Sequence, residues 1–417
     1  MNSASDHSSK AHRIAILGGG ASGFFAAIAC AEANPEAEVH IFEQSSQCLT
    51  KVAKSGGGRC NVTHACFEPR RLSEHFPRGE RALIGAFHKF HAEHAVEWFE
   101  ARGVRLKRES DGRMFPQSDT SASVVQCLLE SARAAGVHVH VRSAVSEVVF
   151  RNGLFSFSTN GEAISCECVL LATGGSRVPS GALIAASLGH VPIPPVPSLF
   201  TFDTPAKWIH ELAGLSCRAE AFIPETPLRE TGPILFTHRG LSGPAILRLS
   251  AWGARELAAR KDCFSLRLNF LPGHSPQQVE NLLQKQREEQ PGKKIVNSPI
   301  ASLPSRLWEC LCATVPSDVR WTTLSRSHRM GLISALVSTQ VQIVGKSLNK
   351  DEFVTCGGIS CAEVDFRTMQ SRIQPGLYFA GEILDVDGIT GGFNFQSAWT
   401  TGWIAGHAMS GLASKVA

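Results

Sequence analysis

The chain has 417 residues, 43% of them hydrophobic and 19% charged, with a net charge of +4. That length points to two or three domains, and the mild basic excess is too weak to argue for nucleic acid. The polar start MNSASDHSSKAH has no apolar h-region, no run reaches the ~18 apolar residues of a membrane span, and none of the thirteen cysteines forms C-x-x-C or a zinc-spaced cluster. The expectation is a cytoplasmic protein with reduced, mostly buried cysteines, no metal and no membrane association.

In chain order, RIAIL (13–17) is a short apolar run opening into GGGASG. An alanine-rich helical segment follows, and EVHIF (38–42) is a second strand ending at Glu43. Residues 82–102 and 121–135 carry helical periodicity. Residues 137–149 alternate like a strand and lead into a hairpin through Asn152–Gly153. CVLLA (168–172) is a buried-type strand running into Thr173-Gly174-Gly175. VPIPPVPSLF (191–200) reads as a proline-rich connector, and 199–271 reads as mainly β. Ser275-Pro276 supplies a cap and first-turn proline for a helix to about Glu289. Helical stretches near 304–313 and 322–338 and strands near 341–345 and 352–355 come next. The chain closes on strand, glycine turn and helix.

The turn Gly18-x-Gly20-x-x-Gly23, with Ala21 and Ser22 inside it, lies between a strand and a helix, and Glu43 follows 20 residues later. Such glycines permit the tight turn, close approach of a pyrophosphate and close helix packing, while Glu43 accepts hydrogen bonds from ribose hydroxyls. Gln44 follows Glu43 at the same strand end. A second glycine-rich turn, Gly381-Glu382 and then Gly391-Gly392-Phe393-Asn394, favours a flavin over a nicotinamide as the resident cofactor. Glu382 would hold ribitol hydroxyls, and the Gly391–Gly392 helix start would face the flavin edge that becomes negative on reduction. Thr173 and Gly174 end a third strand, and Val145 is a backbone contact for adenine. The bare stretch Gly57-Gly58-Arg59-Cys60-Asn61 would lie along the cofactor.

These segments resemble the BaiN-type flavoproteins, described as NAD(P)/FAD-dependent or aminoacetone-oxidase-like oxidoreductases. The resemblance rests on IAILGGGASG, SGGGRCNVTH, DGRMFPQSD (111–119), LATGG, LFTHRGLSGPAILRLS (235–250), TCGGIS and GLYFAGEILDVDGITGGFNFQSAWTTG (376–402). It implies an α/β fold: a Rossmann-like two-dinucleotide-binding FAD domain interrupted by an inserted β-barrel-like domain and a small helical subdomain. It also implies non-covalent FAD, with NAD(P)H as a transient donor. The chain would divide into a disordered tail (1–12), an FAD domain (13–190 and 356–417), an inserted β domain (191–274 and 339–355) and a helical subdomain (275–338). One departure is the segment 176–190 after LATGG, shorter here than the family's TGSTGDGY-like stretch.

Two side chains are candidates for chemistry. His238 can titrate near neutral pH and act as proton donor, and Arg59 would stabilise an anionic flavin or substrate carbonyl or else form a structural ion pair. Arg239 is a rival anion ligand, and Asp385 and Asp387 would orient substrate or the glycine turn, Asp387 also contacting the cofactor. Cys60 is expected to pack rather than to react. The reading is an FAD-dependent oxidoreductase moving hydride between flavin N5 and a small-molecule substrate. The rivals are an RNA-modifying or RNA-binding flavoprotein, with RGVRLKR (102–108) as its basic run, and a non-catalytic redox sensor.

Overall fold

In the computed structural model, residues 12–175, 180–347 and 354–411 are described. The chain divides into two compact units, 1–197 with 350–417, and 198–349.

The first unit is built on a seven-stranded sheet whose central strands are parallel. In spatial order they are His138–His140, Glu38–Phe42, Arg13–Leu17, Cys168–Leu171 and Leu377–Phe379, with Gln370–Ser371 and Val364–Asp365 added antiparallel at the last edge. Ile14, Ile16, Val169, Leu170 and Leu171 are fully buried, as expected of parallel strands covered on both faces. The first helix, Ala21–Ala33, and the last, Phe393–Met409, pack backbone against backbone. A Cβ on Gly402 would lie 2.6 Å from the Ser22 carbonyl oxygen, and one on Gly406 2.3 Å from that of Ala26. Both ends of the sequence thereby meet in one layer, which places the two glycine-rich turns on the same unit.

The Asn152–Gly153 hairpin is present, with both residues at positive φ. Two expectations change. Residues 143–148 are not a strand: Arg142 turns to φ +53°, and the amides of Arg142 and Ser143 go to the carbonyls of Ser45 and Glu43, so Val145 lies in a loop. The proline-rich 191–200 segment is more than a connector, because Ile193–Ser198 pairs with Val354–Gly358 in a two-stranded sheet. Prolines are tolerated there because neither strand is central.

The second unit holds a seven-stranded sheet ordered Thr339–Ile343, Phe264–Asn269, Ser216–Phe222, Arg229–Phe236, Gly240–Ser242, Thr201–Asp203 and Gly345–Ser347, every neighbouring pair antiparallel. Helices Pro244–Trp252 and Ala254–Ala259 interrupt the region expected to be mainly β. Pro276–Glu289 starts at a capping box made by Ser275 and Gln278. It is followed by Ser305–Leu311 and Arg326–Ser338, and Trp308 and Trp321 are fully buried among them.

Candidate functional site

The glycine turn after the first strand has a division of labour. Gly18 is at φ +119°, and a Cβ there would lie 2.3 Å from the Ala172 carbonyl oxygen; one on Gly23 would lie 2.0 Å from that of Gly18. Those two glycines are required by the protein itself. Gly20 sits at φ −94° and a Cβ on it would meet nothing within 4 Å, so neither strain nor internal packing demands glycine. It also starts the first helix without any side-chain cap. An open glycine before uncapped helix amides is what a pyrophosphate lying on that turn calls for.

Glu43 is aimed at the same turn. Its Oε2 accepts the Gly19 amide at 2.8 Å, and its Oε1 accepts the Ser45 amide at 2.8 Å and the Ser45 hydroxyl at 2.7 Å. These bonds fix the carboxylate and leave acceptor capacity on Oε2 for a ribose hydroxyl. Gln44, Thr173, Gly174, Gly175, Glu382 and Ile383 line one cavity of about 280 Å³ in this unit. Residues 44, 173, 174 and 382, expected at the cofactor from scattered stretches, are thus brought together. Glu382 accepts from Lys51 Nζ at 2.5 Å and from the Gly175 amide at 3.3 Å.

The SGGGRCN loop ends the helical stretch Thr50–Gly58. Gly56, Gly57 and Gly58 all have positive φ, at 58°, 68° and 83°, and Gly57 and Gly58 face open space. Cys60 is also at positive φ and fully buried, and burial pushes its thiol up to about 12, which suits packing rather than redox work. Asn61 is buried with its Oδ1 left without a partner, 3.0 Å from where a Cβ on Gly392 would sit. Gly392, at φ +94°, starts the last helix, again without a side-chain cap. An orphaned amide oxygen, an uncapped helix start and the open Gly20, Gly57 and Gly58 fit an FAD. Gly18–Gly23 and Glu43 would hold its ADP half, Glu382 its ribitol, and Asn61 with Gly391–Gly392 its ring edge.

Several residues expected at the cofactor are committed elsewhere. Arg59 pairs with Glu109 at 2.8 Å and Asp119 at 3.6 Å and lies 4.0 Å over the Phe115 ring, the structural ion pair of its two readings. Asp387 is fully buried in a two-pronged pair with Arg78. The Asn394 amide is tied to both backbone groups of Gly388. The Phe393 ring packs against both the His64 and the His75 rings, with centroids 4.7 and 4.3 Å away. Ser22 donates to the Ala380 carbonyl at 3.2 Å, and the Gly381 amide goes to Thr401. These bonds hold the turns in shape. Asp385 accepts the Gly357 amide. His238 is exposed in the tight Thr237–Gly240 turn of the second unit, and Arg239 beside it pairs with Asp203. Within RGVRLKR, Arg102 pairs with Glu32 and Lys107 with Asp119, so half its charge is locally balanced.

The sequence reading missed Lys51, Ser45 and Arg78. Ser45 was legible in principle, since a serine two residues past an acid is a local turn former. Arg78 pairs across 309 positions, and no local pattern marks it.

Residues 12–408 match the model of the HI0933-like protein Rossmann domain. The chain belongs to this family of FAD-dependent oxidoreductases. It is 31% identical over 402 residues to the ribosomal RNA dihydrouridine synthase of Escherichia coli strain K12, covering 93% of this chain and 95% of that protein. It is 30% identical over 408 residues to the 3-dehydro-bile acid delta(4,6)-reductase of Clostridium scindens, covering 95% and 98%. Among solved structures, the 3-ketosteroid-delta4-(5alpha)-dehydrogenase of Rhodococcus jostii RHA1 has a TM-score of 0.51 at 13% identity, over 98% of this chain and 99% of that one, a likeness of fold. Among the described residues, no helix of this family member is long and apolar enough to cross a membrane, and no group of acidic, His or Cys side chains has metal-binding geometry.

Proposed function

We propose that the protein reduces a carbon–carbon double bond conjugated to a carbonyl, with uridine in ribosomal RNA as substrate and NAD(P)H as electron donor. The names of two of its relatives, dihydrouridine synthase and delta(4,6)-reductase, both describe hydrogen added across a double bond. FAD, when bound, would supply the hydride from its N5. The protein's part is to grip the ADP half through Glu43 and the Gly20 turn, to hold the ribitol through Glu382, and to set the ring edge against Asn61 and the last helix.

The choice of RNA over a small molecule rests on one observation. Residues 198–349 carry 18 Lys and Arg against 12 Asp and Glu, whereas the rest of the chain carries 23 against 25. The modest overall charge therefore hides a basic unit and a slightly acidic one, and a basic unit suits a polyanion. The small-molecule substrate expected from the sequence stands as the alternative to this reading. In the basic unit the exposed His238 is the proposed proton donor. The second reading, a steroid-like conjugated ketone, is favoured by the bile-acid relative.

The test incubates flavin-loaded protein and NAD(P)H with ribosomal RNA that lacks dihydrouridine, followed by nucleoside mass spectrometry. A uridine gaining two hydrogens is expected. Unchanged RNA together with turnover of a conjugated steroid ketone would replace this reading with the second one.

A further inference from the structure

We propose that Lys51 binds the diphosphate of the cofactor, a role that rests on the FAD reading above and adds to it a residue no motif marks. The starting point is where the lysine is rooted. The Leu49 amide donates to the Gly19 carbonyl at 2.8 Å, so the helical stretch from Thr50 begins against the first glycine turn. From there the side chain reaches to the ends of two other strands: Nζ donates to Glu382 Oε2 at 2.5 Å and to the Gly175 carbonyl at 3.3 Å. A Cβ on Gly174 would lie 3.8 Å from Glu382 Oε2 and 4.0 Å from Lys51 Nζ. The lysine thus crosses the carboxyl edge of strands Arg13–Leu17, Cys168–Leu171 and Leu377–Phe379. That edge is the crevice where parallel α/β sheets bind their ligands.

Stability does not account for this placement. The Lys51 side chain is 53% exposed, and water-facing ion pairs contribute little to folding. Charge balance does account for it. The crevice holds two carboxylates, Glu43 at the glycine turn and Glu382 in the cavity lining. A diphosphate entering beside them meets repulsion, which helix amides carrying only partial charge offset in part. A full cation on a flexible four-carbon stem completes the balance: it can turn from the Glu382 oxygen to a phosphate oxygen, freeing that oxygen to accept from ribitol.

The experiment measures binding of FAD, ADP and adenosine by titration calorimetry to wild type, Lys51→Met, Lys51→Arg and Glu382→Gln, and to the Lys51→Met/Glu382→Gln double variant. Melting curves confirm that each is folded. Lys51→Met should weaken FAD and ADP by about tenfold, leave adenosine unchanged and lose most of its effect in high salt. Lys51→Arg should recover most of the affinity, and the loss should persist in the Glu382→Gln background. Equal losses for ADP and adenosine, or no loss once Glu382 is Gln, would mean that Lys51 only holds Glu382 and would overturn the proposal. A wild type that binds ADP but no FAD would sink the FAD reading while the ADP comparison still decides Lys51. Binding of neither would overturn both.

Discussion

The turn at Gly18–Gly23 and the loop at Gly56–Gly58 are both glycine-rich and differ in what requires the glycine. In the first, Gly18 and Gly23 are closed in by carbonyl oxygens at 2.3 and 2.0 Å, and Gly20 alone is open and unstrained. In the second, all three residues take the left-handed backbone that side chains resist, while Gly57 and Gly58 have free space around them. Glycine answers to neighbours, to backbone angle or to something that approaches from outside. Within these two segments only Gly20 has the first two ruled out, which leaves an approach from outside as its explanation.

The comparison can be broken by substitution. Gly23→Ala forces a Cβ against the Gly18 carbonyl and should cost about 3 kcal/mol or more, seen as a large drop in Tm or as insoluble protein. Glu43→Arg keeps the fold but removes the acceptors fixed by Gly19 and Ser45 and sets a cation against the ribose. FAD affinity should fall roughly 100-fold in a fluorescence titration. Gly20→Ala should weaken FAD about tenfold while Tm stays within about 3 °C of wild type. A large Tm loss there would show that packing, and not a ligand, requires that glycine. Gly57→Ala should cost about 1–2 kcal/mol in urea unfolding, the strain of a left-handed alanine. At the end of the same loop, Cys60 should resist alkylation in the folded protein at about pH 8, because its buried thiol is pushed up to about 12.

Much of the first unit was legible because its signals are local. Strand, open glycine, helix and Glu43 fall within 31 residues, and Ser275-Pro276 announced its helix through a cap and a first-turn proline. The helix at Pro244 carried the same proline signal after Gly243 but was lost inside a region read as β. What could not be read is long-range. Asp387 looked like a ligand in its motif, yet its carboxylate belongs to Arg78, 309 positions away. Asn394 and Phe393 likewise sit in a cofactor motif while their side chains are spent on Gly388 and on the His64 and His75 rings. The motif marks where the backbone turns, and the side chains within it hold that turn in shape.

The most direct test of the account is an anaerobic visible-absorbance titration of the purified protein, supplied with FAD and then with NADH or NADPH. The account predicts a yellow protein that retains FAD through gel filtration and bleaches on addition of the nicotinamide. A colourless protein that takes up no FAD would contradict it.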